Sequence, residues 1–166
     1  MARDRSHPPS AACLSESMRD LGYSLETAIA DLIDNSISAG ADTIDIICDV
    51  SGEHPVMVIL DNGRGMTEDE LLDAMRHGTG NPRQHRSPKD LGRFGLGLKT
   101  ASFSQCRRLT VASRREGGAL VCLRWDLDAI ASDPEGGWRM FEGPAEGSER
   151  FLEPLSFLRS GTLVLW

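Results

Sequence analysis

A chain of 166 residues, 40% hydrophobic and 26% charged, has the size and make-up of one globular domain around one core. Its net charge of -7 argues against a broad basic surface for gripping nucleic acid, and no apolar run approaches the ~20 residues of a membrane helix. The opening stretch MARDRSHPPS lacks the roughly 7–15 apolar residues of a signal-peptide core, so a cytoplasmic location without a membrane partner is expected. Cys13, Cys48, Cys106 and Cys122 form no C-x-x-C pair and have no His at zinc spacing; they read as reduced, partly buried thiols.

In chain order, residues 1–11 read as a flexible arm and Leu14 to Leu21 as a short helix stopped by Gly22. Ser24 is placed to cap a longer helix running to about Ala39, with Ala28, Ile29, Leu32, Ile33 and Ile37 on its apolar side and Gly40 closing it. Thr43 to Val50 and Val56 to Leu60 read as strands joined by the turn SGEHP. Thr67 and Glu70 have the spacing of a capping box for a helix reaching about Arg76. Between Gly78 and Gly92 no periodicity survives, and the stretch from Arg76 to Arg93 carries five cations, Arg76, Arg83, Arg86, Lys89 and Arg93, against Asp90 alone. Gly95 to Ser104 reads as a small-residue helix, and Leu109–Arg114 with Ala119–Trp125 as a hairpin around EGG. A weak helix near Leu127 to Ala131, a strand near Trp138 to Phe141 and a closing strand Thr162 to Trp166 follow. The order is α+β, not the βαβ alternation of a parallel sheet.

Three stretches carry candidate chemistry. In AIADLIDNSISAGAD, Asp31, Asn35 and Ser38 fall at i, i+4 and i+7 and share a helical face, a carboxylate beside an oxygen donor suited to a hard cation; a solvated polar face is the plainer alternative. In DNGRGM, Asp61 ends a strand, and Gly63 and Gly65 permit a tight turn with close backbone approach to a ligand; alone, D-N-G is an ordinary turn. In LGRFGLGLKTASFS, Gly92, Gly95 and Gly97 precede a helix whose first N–H groups suit phosphate oxygens, with Lys99 nearby. This is neither the dinucleotide fingerprint nor a Walker loop.

Taken in order, Asp31-x-x-x-Asn35 with Ser36 and Ala39-Gly40-Ala41, then Asp61-x-Gly63-x-Gly65-Met66, then Gly92-x-x-Gly95-x-Gly97, and finally Gly161-Thr162 opening a strand, resemble the successive boxes of the GHKL ATPases. That superfamily comprises gyrase, heat-shock chaperones, histidine kinases and MutL, and LIDNSISAGA and GRFGLGLKTASFS look closest to MutL and the microrchidia (MORC) ATPases. The resemblance implies the Bergerat fold: a single domain over 1–166, a two-layer α/β sandwich with a mixed, mostly antiparallel sheet and helices on one face. It implies a magnesium-dependent ATPase giving ADP and phosphate, with Asn35 on Mg2+ and Asp61 on the adenine amine, aided by Thr162 and a water. Ala39, Met66 and Phe94 would line the base pocket. The backbone from Gly92 through Arg93, Phe94, Gly95 and Leu96 to Gly97 would hold phosphates with help from Lys99, and 78–93 would be the ATP lid. Closure of that lid implies a nucleotide-dependent homodimer or a partner transducer domain, with nucleic acid involved only indirectly.

Asp31 stands where hydrolytic relatives usually carry Glu, the general base. The shorter side chain withdraws the carboxylate by roughly 1–1.5 Å, and an error of about 1 Å costs around a hundredfold in rate, so slow turnover is expected. A nucleotide-regulated binding module with little turnover is the alternative. A histidine kinase catalytic domain is less favoured, because it normally has Asn at this position and needs a phosphoacceptor His on a helical hairpin. His7, His54, His77 and His85 all read as loop or turn residues.

Overall fold

The computed structural model describes residues 10–20, 22–76, 97–133 and 137–166. The helices α1 (Ala11–Arg19) and α2 (Leu25–Ser38) precede a hairpin of β1 (Ile44–Asp49) and β2 (Val56–Asp61). Then come α3 (Glu68–Met75), α4 (Gly97–Gln105), the hairpin β3 (Arg108–Arg114) and β4 (Leu120–Asp126), α5 (Leu127–Ser132) and β5 (Met140–Glu142). A 3-10 turn (Glu149–Leu152) leads into the short α6 (Glu153–Ser156), and β6 (Gly161–Leu165) closes the fold.

The strands form one sheet in the order β1-β2-β6-β3-β4-β5, and every pairing is antiparallel among the described residues. The α+β, two-layer architecture of the Bergerat fold is therefore present, without the parallel pair that a mixed sheet implies. The alternation of side chains along each strand separates two cores. Ile59, Leu109, Val111, Trp125 and Val164 meet Leu32, Leu71, Phe103, Leu127 and Ile130 from helices α2 to α5, and Ala11 of α1 joins them. On the opposite face Val58, Leu60, Ala112, Leu163 and Leu165 meet Leu152 and Leu155. Helices α1 to α5 thus cover one face, and the 3-10 turn with α6 covers part of the other, a segment to which the sequence reading gave no structure.

Local signals explain most boundaries. The Ser24 hydroxyl accepts the Thr27 N–H at the start of α2, and both bonds of the Thr67–Glu70 capping box form at α3. Helix α1 starts earlier than its periodicity suggested: Ala11, assigned above to a flexible arm, is its first residue and fully buried. Ile37, expected on the apolar side of α2, is instead 53% exposed, because the helix reaches its end there beyond the sheet-facing core. Among the described residues no helix is long and apolar enough to cross a membrane.

Candidate functional site

Strand register assembles the first half of the site. Asp61 on β2 pairs with Thr162 on β6, and Thr162 pairs with Ser113 on β3, so three polar residues stand side by side across adjacent strands. All three point to the helix-bearing face, where the alternation Leu109, Val111, Ser113 puts a small polar residue in line with core residues. The Asp61 carboxylate is 6% exposed and accepts from three donors. Its Oδ1 takes the Gly63 N–H at 2.9 Å and the Thr162 N–H at 3.2 Å, and its Oδ2 takes the Ser36 hydroxyl at 2.9 Å. Burial raises the Asp61 pKa above the ordinary aspartate value, and these three hydrogen bonds oppose the shift.

The turn after Asp61 is pinned from both sides. Arg64 donates its N–H to the Ala39 carbonyl at 3.0 Å, fixing the turn to the end of α2. Asn62 Oδ1 accepts from the backbone of Asp42 and Thr43, tying the same turn to the start of β1. At Gly65, φ is +64°, and a Cβ there would lie 1.9 Å from the Arg114 carbonyl oxygen. Only glycine allows this approach of the loop to β3. Met66 N–H then donates to Ser113 Oγ at 2.8 Å. Ser113 Oγ also lies 2.9 Å from the Gly161 carbonyl and 2.9 Å from Thr162 Oγ1. One proton arrangement satisfies all three contacts: Ser113 donates to Gly161 and Thr162 donates to Ser113, which leaves Thr162 presenting lone pairs on its open side.

The second half of the site is on α2 and α4. Asp31 and Asn35 lie one turn apart on α2, Asp31 half-buried and Asn35 exposed. Tyr23 donates its hydroxyl to Asp31 Oδ2 at 3.1 Å, and a methyl group on Gly97 would lie 3.9 Å from the same oxygen. Asp31 therefore faces the first turn of α4. One and a half turns further along α2, Ser36 holds Asp61, so a single helix links the two halves over about 7.5 Å.

Of the residues singled out by sequence, Ala39, Asp61, Gly63, Gly65, Met66 and Thr162 come together, while Asp31 and Gly97 adjoin each other. Gly92, Arg93, Phe94, Gly95 and Leu96, and the segment 78–93, lie outside the described residues. Lys99 is tied to α3. It is fully buried, and its ammonium donates to the carbonyls of Ala74 at 2.8 Å and Arg76 at 2.7 Å, at the C-terminal end of α3. Helix-end carbonyls without intrahelical partners attract the cation there. Ser113 and Tyr23 are additions from the structure. Ser36 was visible in the motif but had no role there.

The family profile described as histidine kinase-, DNA gyrase B-, and HSP90-like ATPase matches residues 23–152. Among curated proteins, the DNA mismatch repair protein MutL of Elusimicrobium minutum is 34% identical over 93 residues, 55% of this chain and 15% of its own length. MutL of Colwellia psychrerythraea is 36% identical over 109 residues, 64% of this chain and 16% of its own. MutL of Shewanella sp. strain MR-4 is 38% identical over 90 residues, 53% of this chain and 14% of its own. The chain thus spans about a sixth of the length of these relatives. With the Asp61 turn, the Thr162 strand and the Asp31–Asn35 helix in place, and the profile matched from Tyr23 to Leu152, the chain belongs to the histidine kinase-, DNA gyrase B- and HSP90-like ATPase family.

Proposed function

We propose that this domain binds ATP with magnesium and hydrolyses it slowly to ADP and phosphate. One observation carries the reading. A carboxylate offers about four lone-pair positions, and Gly63, Thr162 and Ser36 occupy three of those on Asp61. The position left over suits one further donor, and the exocyclic amine of adenine supplies it where the oxygen of guanine would repel. Thr162 supports the base through a water that donates to its open lone pairs, with Ala39 and Met66 at the rim.

Asn35 presents an exposed amide oxygen on the face of α2 shared with Asp31, a fit for magnesium, which binds few protein oxygens and otherwise keeps waters and phosphates. Magnesium, when bound, supplies neutralisation of phosphate charge. Asp31 accepts a proton from a water as the water oxygen attacks the terminal phosphorus. The bond from that phosphorus to the bridging oxygen breaks, and ADP leaves with the electron pair. The backbone from Gly92 to Gly97 is assigned to the phosphates. The segment 78–93 is assigned to a lid whose closure brings two copies, or a transducer domain, together.

The test pairs calorimetry with phosphate release. Asp61→Asn should lose at least tenfold in ATP affinity, about 1.4 kcal/mol or more, while its circular dichroism stays that of the parent. An amide would set its own N–H against the adenine amine. Asp31→Asn should abolish phosphate release and leave affinity within severalfold. Near-normal binding by Asp61→Asn, or equal affinity for GTP, removes the adenine assignment. The second reading, a nucleotide-regulated module without turnover, is favoured by the short Asp31 side chain; tight ATP binding with no phosphate release would establish it.

A further inference from the structure

Tyr23 is the only tyrosine in the chain, and it sits just before α2, outside the motifs that mark the site. Its hydroxyl donates to Asp31 Oδ2 at 3.1 Å. Its carbonyl accepts from Gln105 Nε2 at 3.0 Å, and Gln105 is the last residue of α4. The residue is therefore held at two points: through its backbone to the end of α4, and through its side chain to the carboxylate that faces the start of α4. Burial and the neighbouring Asp31 carboxylate hold the phenol above its ordinary value, so it remains a proton donor across the neutral range.

A carboxylate on a short side chain turns about its last bond unless something holds it. With Oδ2 engaged by the phenol, Oδ1 is the oxygen left for a proton from water. We infer that Tyr23 is a positioning residue for Asp31, orienting the carboxylate so that a side chain one methylene shorter than the usual base still serves. The inference rests on the hydrolytic reading and deepens it. Tyr23 acts through Asp31 and has no contact of its own with the reacting atoms in this assignment.

The experiment uses Tyr23→Phe, which keeps the ring and removes only the hydroxyl, beside Asp31→Asn, both in the intact chain. Phosphate release is followed under multiple- and single-turnover conditions with magnesium and ATP. The expected result is a fall in kcat of about ten- to a hundredfold for Tyr23→Phe, with KM within about twofold and the thermal midpoint nearly unchanged. Three outcomes overturn the inference. Unchanged kcat in Tyr23→Phe, beside a fall in Asp31→Asn, removes the positioning role alone. A fall in kcat accompanied by a lowered thermal midpoint, or by a severalfold change in KM, marks Tyr23 as a structural tie. Hydrolysis that is absent from the parent chain, or survives in Asp31→Asn, fails the hydrolytic reading and takes this inference with it.

Discussion

Asp61 is an acid held out of water, and two opposing effects set its titration. Desolvation makes the carboxyl harder to ionise than an aspartate in water, despite the hydrogen bonds from Gly63, Ser36 and Thr162 that favour the anion. In the unfolded chain the group gives up its proton first, so between the ordinary value and the raised one, stability falls as pH rises. On the proposed reading, ATP binding would depend on the same titration in the opposite sense, because an adenine amine needs the lone pair of the anion. ATP affinity should therefore decline on acidification at a pH above the ordinary aspartate value of about 3.9. Calorimetry at descending pH checks this, and full affinity down to that value would show that the carboxylate is not the acceptor. At this scale the sequence revealed residues whose type is unusual for their place: an acid ending an apolar strand, glycines around it. Ser113 carried only a faint signal, a small polar residue at a core-facing position of β3. Tyr23 carried none, since it precedes α2, eight residues from Asp31 and outside the helical period that groups Asp31 with Asn35.

Elements were legible where chemistry is local. The Ser24 cap, the Thr67–Glu70 box and the EGG hairpin each depend on residues within a few positions of one another, and each formed as read. The 3-10 turn with α6 was not, since eight residues holding Pro154 are too short for a helical period and gain their order from Leu152 and Leu155 against the sheet. Contacts between elements were equally hidden. The end of α3 is tied by Lys99 to Ala74 and Arg76, and by Trp125 Nε1 to the Met75 carbonyl at 3.0 Å. Burial holds the Lys99 ammonium down at about 8. From there to its ordinary value of 10.5 the unfolded chain keeps the proton that the folded one releases, so stability should rise with pH over that window. The neutral amine still has two hydrogens for its two carbonyls, so the tie survives the titration. Urea midpoints at stepped pH should show the rise in the parent and its absence in Lys99→Met; identical slopes would mean that the charge is not paid for by burial. The turn between β2 and α3 allows a harsher test. Gly65→Ala places a methyl group against the Arg114 carbonyl in a left-handed conformation, and should cost about 3 kcal/mol or more, read as a lower thermal midpoint.

The whole molecule is organised around β6, which lies between β2 and β3. Without it the sheet would be two pieces, β1-β2 and β3-β4-β5, with both cores divided. A chain ending at residue 158 should therefore lose its cooperative thermal transition, rather than show the milder loss of a trimmed edge strand. Circular dichroism and calorimetric melting would decide it, and a sharp transition in the shortened chain would contradict the central role of β6. The same arrangement bears on biosynthesis. A ribosome releases the helices and both hairpins before it releases the strand that joins them, and Asp61 waits a hundred and one residues for the Thr162 N–H. During that interval the apolar faces of both sheet pieces stand open, with Val58, Leu60 and Ala112 uncovered by their β6 neighbours. The nascent domain is thus most open to chaperones, and to mispairing with its own unfinished copies, just before the candidate site around Asp61 comes into existence.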